Sequence, residues 1–241
     1  MDNGIYLALS RQMALFDDMD ITANNLANAN TTGYGAEHVL FNNFLVADNN
    51  SGDRTKLAFA NEAGSYRNLD NGSLTSTGNQ LDVAIQGNGY LVVETPLGKR
   101  YTRAGNMQIN SDGVLTTQEG YPILDSSSNQ ISVPENTISV EVGEGGNLKF
   151  NGIDNGALNV VEFPNPQLLE RVTGRLYKSD ITPYPATNAR VAQGMLESSN
   201  VEPVKELTHM TTLTHSVADT AQYIAIVFDL EIKADTAWSQ Q

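Results

Sequence analysis

The residues best suited to hold a metal or move a proton are three histidines, His38, His209 and His215. A metal site on one helix needs two of them four residues apart, so that both imidazoles leave the same face. His209 and His215 are six apart and do not share a face, which favours a solvated or interface role. The chain has no cysteine, so thiolate sites and disulfides are excluded and the redox compartment stays open. Paired carboxylates would suit acid–base work, but Asp17, Asp18 and Asp20 fall in a helical stretch and read as a solvated face. Gly143-Glu144-Gly145-Gly146-Asn147 lacks the Lys and Ser/Thr of a phosphate loop and reads as a turn. Ser10, Ser198 and Ser199 show no nucleophile elbow. Asn30-Thr31-Thr32, Asn49-Asn50-Ser51 and Asn71-Gly72-Ser73 match the glycosylation pattern, which is short enough to recur by chance. The expectation is no enzyme: no catalytic residue, no cofactor and no metal.

Charge narrows the partners. Fourteen Lys and Arg stand against 28 Asp and Glu, a formal net charge of −14 over 241 residues. Phosphate backbones need basic patches, so nucleic acid is not an expected partner. Anionic lipid is disfavoured for the same reason. The start, Met1-Asp2-Asn3-Gly4-Ile5-Tyr6, carries an acid where a secretory signal has basic residues. The most apolar run, Tyr223 to Leu230, is too short to span a bilayer. Export, if it occurs, is expected by a route without such a signal, and no membrane insertion is expected.

The two ends read as helices and the middle as strands. Ile5, Leu9, Met13, Phe16, Met19, Ala23 and Leu26 recur every three or four residues, with no proline from Gly4 to Asn28. Asn28, Asn30, Thr31, Thr32 and Gly33 supply stop signals. At the other end Ser199-Asn200-Val201-Glu202 fits a capping box and Pro203 a first helical turn. Val204, Leu207, Met210, Leu213, Val217, Ala221, Ile224, Phe228 and Ile232 follow at helical spacing, to about Ala237.

Between them the period drops to two. Leu81, Val83 and Ile85 alternate, Gly87-Asn88-Gly89 turns the chain, and Tyr90 to Val93 reads as the return strand. Further strands are expected at Tyr101–Ala104, Met107–Ile109, Val114–Thr117, Ile131–Val133, Ile138–Val142, Leu148–Phe150, Leu158–Phe163 and Arg175–Lys178. The fold class expected is α+β. Long N- and C-terminal helices pair as a coiled-coil-like inner domain, with an antiparallel β domain inserted between them. The segments are an N-terminal helix over 1–32, an extended connector or long hairpin over 33–72 with a polar run from Asp48 to Asp53, the β domain over 73–200 and a C-terminal helix over 201–241.

Each terminal helix must bury its stripe against the β domain, the other helix or another subunit. A pair of helices covers only part of two stripes, and helices this thin draw their stability from packing. Neighbouring copies would cover the rest, and a contact that does not close into a ring propagates.

The same helices carry recognisable text. Ala23-Asn24-Asn25-Leu26-Ala27-Asn28-Ala29-Asn30-Thr31-Thr32-Gly33-Tyr34 closely resembles the N-terminal signature of the flagellar axial family of rod and hook proteins. Gly87-Asn88-Gly89-Tyr90, Tyr101-Thr102-Arg103-Ala104-Gly105-Asn106, Asp112-Gly113-Val114-Leu115 and Gly120-Tyr121-Pro122 resemble its central β region. Gln193-Gly194-Met195-Leu196-Glu197-Ser198-Ser199-Asn200-Val201-Glu202-Pro203-Val204 resembles its C-terminal entry motif. Met1-Asp2 with Ile5-Tyr6, and the short length, are most similar to the proximal rod members. The chain departs from the family at Gly35, where a long residue is usual, and at Thr211, His215, Val217 and Ala218, where Ile, Arg, an aromatic and Glu are usual.

The resemblance implies a structural subunit of the flagellar basal-body rod in the periplasm. It would self-assemble through its terminal helices to transmit torque. The implied partners are copies of itself, other rod proteins and the flagellar type III export apparatus. The assembly residues expected are Ile5, Leu9, Met13, Phe16, Asn24, Asn25, Leu26, Asn28 and Gly33, with Leu207, Met210, Leu213, Val217 and Ile224. A distal rod or hook-type protein, and a cell-wall-binding β module, stand as alternatives.

Overall fold

The computed structural model describes residues 2–47 and 56–238. The chain is α+β, with a helix towards each end and antiparallel sheets between them. It divides into a helical unit, made of residues up to 27, 37–68 and from 202 onward, and a β unit of residues 28–36 and 69–201.

In the helical unit, α1 (Asp2–Ala27) and α2 (Pro203–Trp238) contact each other. At 1.5 Å per residue they are about 39 and 54 Å long. Proline opens α2, where its missing N–H costs nothing. The expected capping box does not form. The Ser199 hydroxyl instead accepts from the Val201 N–H at 3.2 Å, two residues before the helix. The first helical bond runs from Glu206 N–H to Glu202 C=O at 3.1 Å, because proline at the first helical position makes Glu202 the residue before the helix. Strands β1 (Glu37–Ala47) and β2 (Lys56–Arg67) form a long antiparallel pair, from Glu37 opposite Arg67 to Ala47 opposite Lys56. The polar run Asp48 to Asp53, with the Asn49-Asn50-Ser51 triplet, lies outside the described residues.

The β unit has fifteen strands. The first eight are β3 (Leu74–Ser76), β4 (Val83–Gln86), β5 (Tyr90–Thr95), β6 (Gly98–Thr102), β7 (Met107–Ile109), β8 (Leu115–Thr117), β9 (Val140–Val142) and β10 (Asn147–Phe150). After them come β11 (Ile153–Ala157), β12 (Val160–Glu162), β13 (Glu170–Thr173), β14 (Leu176–Lys178), β15 (Tyr184–Pro185), β16 (Arg190–Gln193) and β17 (Met195–Glu197). The largest sheet runs β13-β14-β6-β5-β12-β15, beside a three-stranded β11-β10-β9 sheet and the pairs β16-β4, β17-β3 and β7-β8. One apolar cluster gathers Val83, Ile85, Leu91, Val93, Leu115, Ile123, Leu148 and Phe150. A second joins Tyr90, Tyr101, Phe163 and Tyr177, with Tyr90 and Tyr101 each edge-on to Phe163 and Tyr90 edge-on to Tyr177.

Two strand expectations are corrected. The chain does turn after β4, but β5 is not its hairpin partner. β4 pairs with β16, Ile85 opposite Val191, while β5 pairs with β6 and β12. Val83, Ala84 and Ile85 are buried in succession, so β4 is covered on both faces, which a two-stranded surface hairpin could not do. Ile131–Val133 forms only single bridges, such as Ser132 to Val114, because its N–H groups go in turn to Ile123 and Gly113.

Candidate assembly surface

Part of the apolar stripe of α1 is exposed, while Ile5, Met19 and Leu26 are half-buried. Tyr6, Leu9, Met13 and Phe16 are 64, 47, 61 and 43 % exposed. They recur at intervals of three and four, so they line one side of the helix. The opposite side carries the fully buried Ala8, Ala14, Thr22 and Asn25 and, half-buried among them, Leu7, Leu15 and Leu26. Among the expected assembly residues on this helix, Leu9, Met13, Phe16 and Asn24 are thus exposed, Ile5 and Leu26 half-buried and Asn25 buried. Asn25 is engaged within the unit. Its Oδ1 accepts from the Glu37 N–H at 3.0 Å and its Nδ2 donates to the Glu37 C=O at 2.7 Å, capping the open end of β1.

α2 has two sides of different character. Glu206, Met210, Leu213, Val217, Thr220, Ile224 and Val227 are buried or half-buried, at alternating intervals of four and three. Leu213 is the most enclosed of the expected assembly residues on this helix. A second row, Val204, Leu207, Thr211, Thr214, Ala218, Ala221, Ala225, Phe228 and Ile232, has the same alternation, no charge, and is exposed throughout. Thr211 and Thr214 donate their hydroxyls to the carbonyls of Leu207 and Met210 at 2.9 and 2.8 Å, so their methyl groups are left facing out. Tyr223, Ile226 and Leu230 are exposed on the remaining side. Between Tyr223 and Ile232 the helix is therefore apolar nearly all round, a pattern that belongs in an interior. His209 Nε2 lies 3.1 Å from Asp18 Oδ2 and ties α2 to α1.

The β unit holds the remaining expected residues, Asn28 and Gly33. The Asn28 C=O accepts from the Thr31 N–H at 3.0 Å and ends the helix signal. Gly33 is buried at φ +68°, and a Cβ there would lie 2.7 Å from the Ala104 nitrogen. Its N–H donates to the Glu197 C=O at 2.9 Å. Next to it Arg171 sits over the Tyr34 ring, 4.1 Å from the centroid, and donates to the Gly35 C=O at 2.6 Å.

Residues that sequence reasoning did not single out as site residues hold this knot together. Arg103 Nε donates to Glu197 Oε2 at 2.8 Å, with side chains only 13 and 5 % exposed. The Arg103 Nη groups reach the carbonyls of Gly89, Ile85 and Gly87 and the Asn71 side chain at 2.9–3.2 Å. Glu197 Oε1 accepts from the Gly72 N–H at 3.0 Å. The one available signal was an arginine standing between a strand and a glycine turn, with no residue in sequence to pair it.

Elsewhere burial raises the Tyr101 phenol above its ordinary range, opposed by Arg100. Burial would also raise the Glu119 carboxyl, but hydrogen bonds from Arg175, the backbone and Thr117 outweigh it and hold it low. Among the described residues no group of three or more His, Cys, Asp or Glu is arranged for a metal ion, and no helix is long and apolar enough to cross a membrane.

Three family descriptions match along the chain: a flagella basal body rod protein segment at residues 5–34, the D1 domain of the flagellar hook protein FlgE/F/G at 84–150, and the C-terminal part of the flagellar basal body rod FlgEFG proteins at 192–218. The flagellar basal-body rod protein FlgF of Caulobacter vibrioides is 36% identical over 225 residues, covering 92% of each chain. FlgF of Mesorhizobium japonicum is 34% identical over 224 residues, 92% of this chain and 91% of its own. The rod protein FlgG of Bacillus subtilis is 28% identical over 235 residues, 87% of this chain and 89% of its own. With both helical ends and the β region matched, and whole relatives aligned nearly end to end, this chain belongs to the flagellar basal-body rod protein family.

Proposed function

We propose that this chain is a structural subunit of the bacterial flagellar rod, of the proximal, FlgF-like kind, and that it assembles through the outward apolar rows of α1 and α2. One observation carries the reading. The bulky residues Tyr6, Leu9, Met13 and Phe16 are exposed in a row, while Ala8, Ala14 and Thr22 face inward beside the half-buried Leu7, Leu15 and Leu26. A helix folded for a lone chain would not leave four large apolar side chains in one exposed row, because burying each yields about 1.5–3 kcal/mol. α1 and α2 pair as a coiled-coil-like core through the inner row of α2, with Asn25, Met210, Leu213, Val217 and Ile224 setting the helices. Leu9, Met13, Phe16 and Leu207 then meet neighbours. The neighbours are copies of this chain and other rod proteins, and torque passes through many small buried contacts. Delivery is through the flagellar type III export apparatus. No catalysis is assigned.

The test is Met13→Glu with Phe16→Glu. Both positions are exposed, so the purified chain should unfold at nearly the same urea concentration as the parent. In a strain lacking this gene, the parent should restore basal bodies and swimming and the double variant should restore neither, since a buried unpaired carboxylate costs several kcal/mol. Normal incorporation of the double variant would overturn the assignment of this face. Crosslinking from residues 1–32 identifies the neighbour and separates a proximal from a distal rod position, which matters because FlgG relatives are also similar over most of the chain.

A further inference from the structure

The chain passes into or out of the β unit at four places: after residues 27, 36, 68 and 201. Three of these passages meet on a single side chain. Asn200, next to the last passage, accepts at Oδ1 from the Ala36 N–H at 2.7 Å. Its Nδ2 donates to the Asp70 C=O at 2.8 Å. Its own backbone N–H donates to the Tyr34 C=O at 3.3 Å. A carboxamide is the side chain that offers an acceptor and a donor in one plane; a carboxylate offers acceptors alone. The bond from Gly33 N–H to Glu197 C=O at 2.9 Å lies beside this junction, and Glu197 is itself held by Arg103 and the Gly72 N–H.

We propose that Asn200 is a positioning residue, a staple that laces the chain's passages together so that load entering the β unit is shared among them. Hydrogen bonds loaded side by side divide a force. The same bonds loaded in series open one at a time, and a strand end then peels. Three segments tied at one residue must give way together, and each tie adds about one hydrogen bond's net worth to whatever else holds its segment. The load comes from the rod role proposed above; the staple itself stands on the hydrogen-bond geometry within the unit.

Two variants separate its halves. Asn200→Asp keeps the acceptor for Ala36 and sets a carboxylate against the Asp70 carbonyl. Asn200→Ala removes both bonds. In the purified full-length chain, hydrogen exchange at the Ala36 amide should quicken about five- to tenfold in N200A and stay near the parent rate in N200D. In a strain lacking the gene, both variants should build basal bodies in parental numbers and swim normally in dilute medium. Both should lose swimming at viscosities the parent withstands, N200A at the lower viscosity. An unchanged Ala36 amide in N200A would overturn the staple. A quickened amide with parental swimming at every viscosity would overturn its role in sharing load. Failure of the parent gene to restore basal bodies would instead overturn the rod reading, while leaving the exchange result to judge the staple.

Discussion

Gly105→Ala should leave the β unit unable to reach its native packing. A Cβ at this position would stand 1.8 Å from the Val83 carbonyl oxygen and 2.8 Å from its carbon. Both are backbone atoms, so no rotamer change relieves the clash. The approach is close because Val83 N–H donates to the Gly105 C=O at 3.0 Å and Asp82 bridges Asn106, which draws the two chains together. Val83 is fully buried in the main apolar cluster, so it has nowhere to retreat. Separating the chains loses that bond and opens the cluster, an expected cost above about 3 kcal/mol. Gly120→Ala is the matched control. Gly120 has φ +87° but nothing within 4 Å of its Cβ position, so only backbone strain of about 1–2 kcal/mol is expected. Urea unfolding followed by the near-ultraviolet signal of the buried tyrosines gives both numbers. A G105A midpoint equal to that of G120A would refute the packing argument.

Arg103→Leu has the second largest expected effect. It takes the ion-pair partner from the largely buried Glu197 carboxylate, which keeps the Gly72 N–H, and strands the carbonyls of Ile85, Gly87 and Gly89. Breaking a buried pair by removing one partner costs about 3–5 kcal/mol. Arg103→Lys keeps the charge but cannot span three carbonyls and two side chains from one ammonium, so an intermediate loss is expected. Glu197→Gln should cost less than Arg103→Leu, because the guanidinium retains its carbonyl acceptors and Gln still accepts from Gly72. A double-mutant cycle between Arg103→Leu and Glu197→Leu should show coupling of at least about 2 kcal/mol. Strict additivity would mean that the pair does not act as a unit.

Much of the architecture was legible from local pattern. The three-and-four spacing from Ile5 to Leu26 and from Val204 to Ile232 marks helices because side-chain direction repeats every 3.6 residues. Alternation from Leu81 to Ile85 marks a strand for the parallel reason. The motif runs around Ala23 to Tyr34, Tyr101 to Asn106 and Gln193 to Val204 pointed to the family that the comparisons establish. Pairing was less legible. Gly87-Asn88-Gly89 announces a turn, yet β4 finds β16 more than a hundred residues later. Strands β3, β11, β13, β15, β16 and β17 were not foreseen. They are short and carry polar or exposed residues, and β3, β15, β16 and β17 are held by distant partners whose identity no local window contains.

By itself the sequence determined that helices form at both ends and that strands fill the middle, but the single stripe expected on α2 divides in the fold between an inner row with Met210, Leu213, Val217 and Ile224 and an exposed row with Val204, Leu207, Ala221, Phe228 and Ile232. Only the tertiary structure decided which way the rows point. Periodicity fixes the spacing of a stripe around its own axis but not the neighbour that covers it. On α1 the inner side took Ala8, Ala14 and Thr22, which allow a close approach, together with Leu7, Leu15 and Leu26, and left Leu9, Met13 and Phe16 outward. The tertiary structure likewise turned Asn25, Gly33 and Asn200 into ties within the chain, because a hydrogen bond between residues 36 and 200 depends on the folded path and on nothing written near either residue.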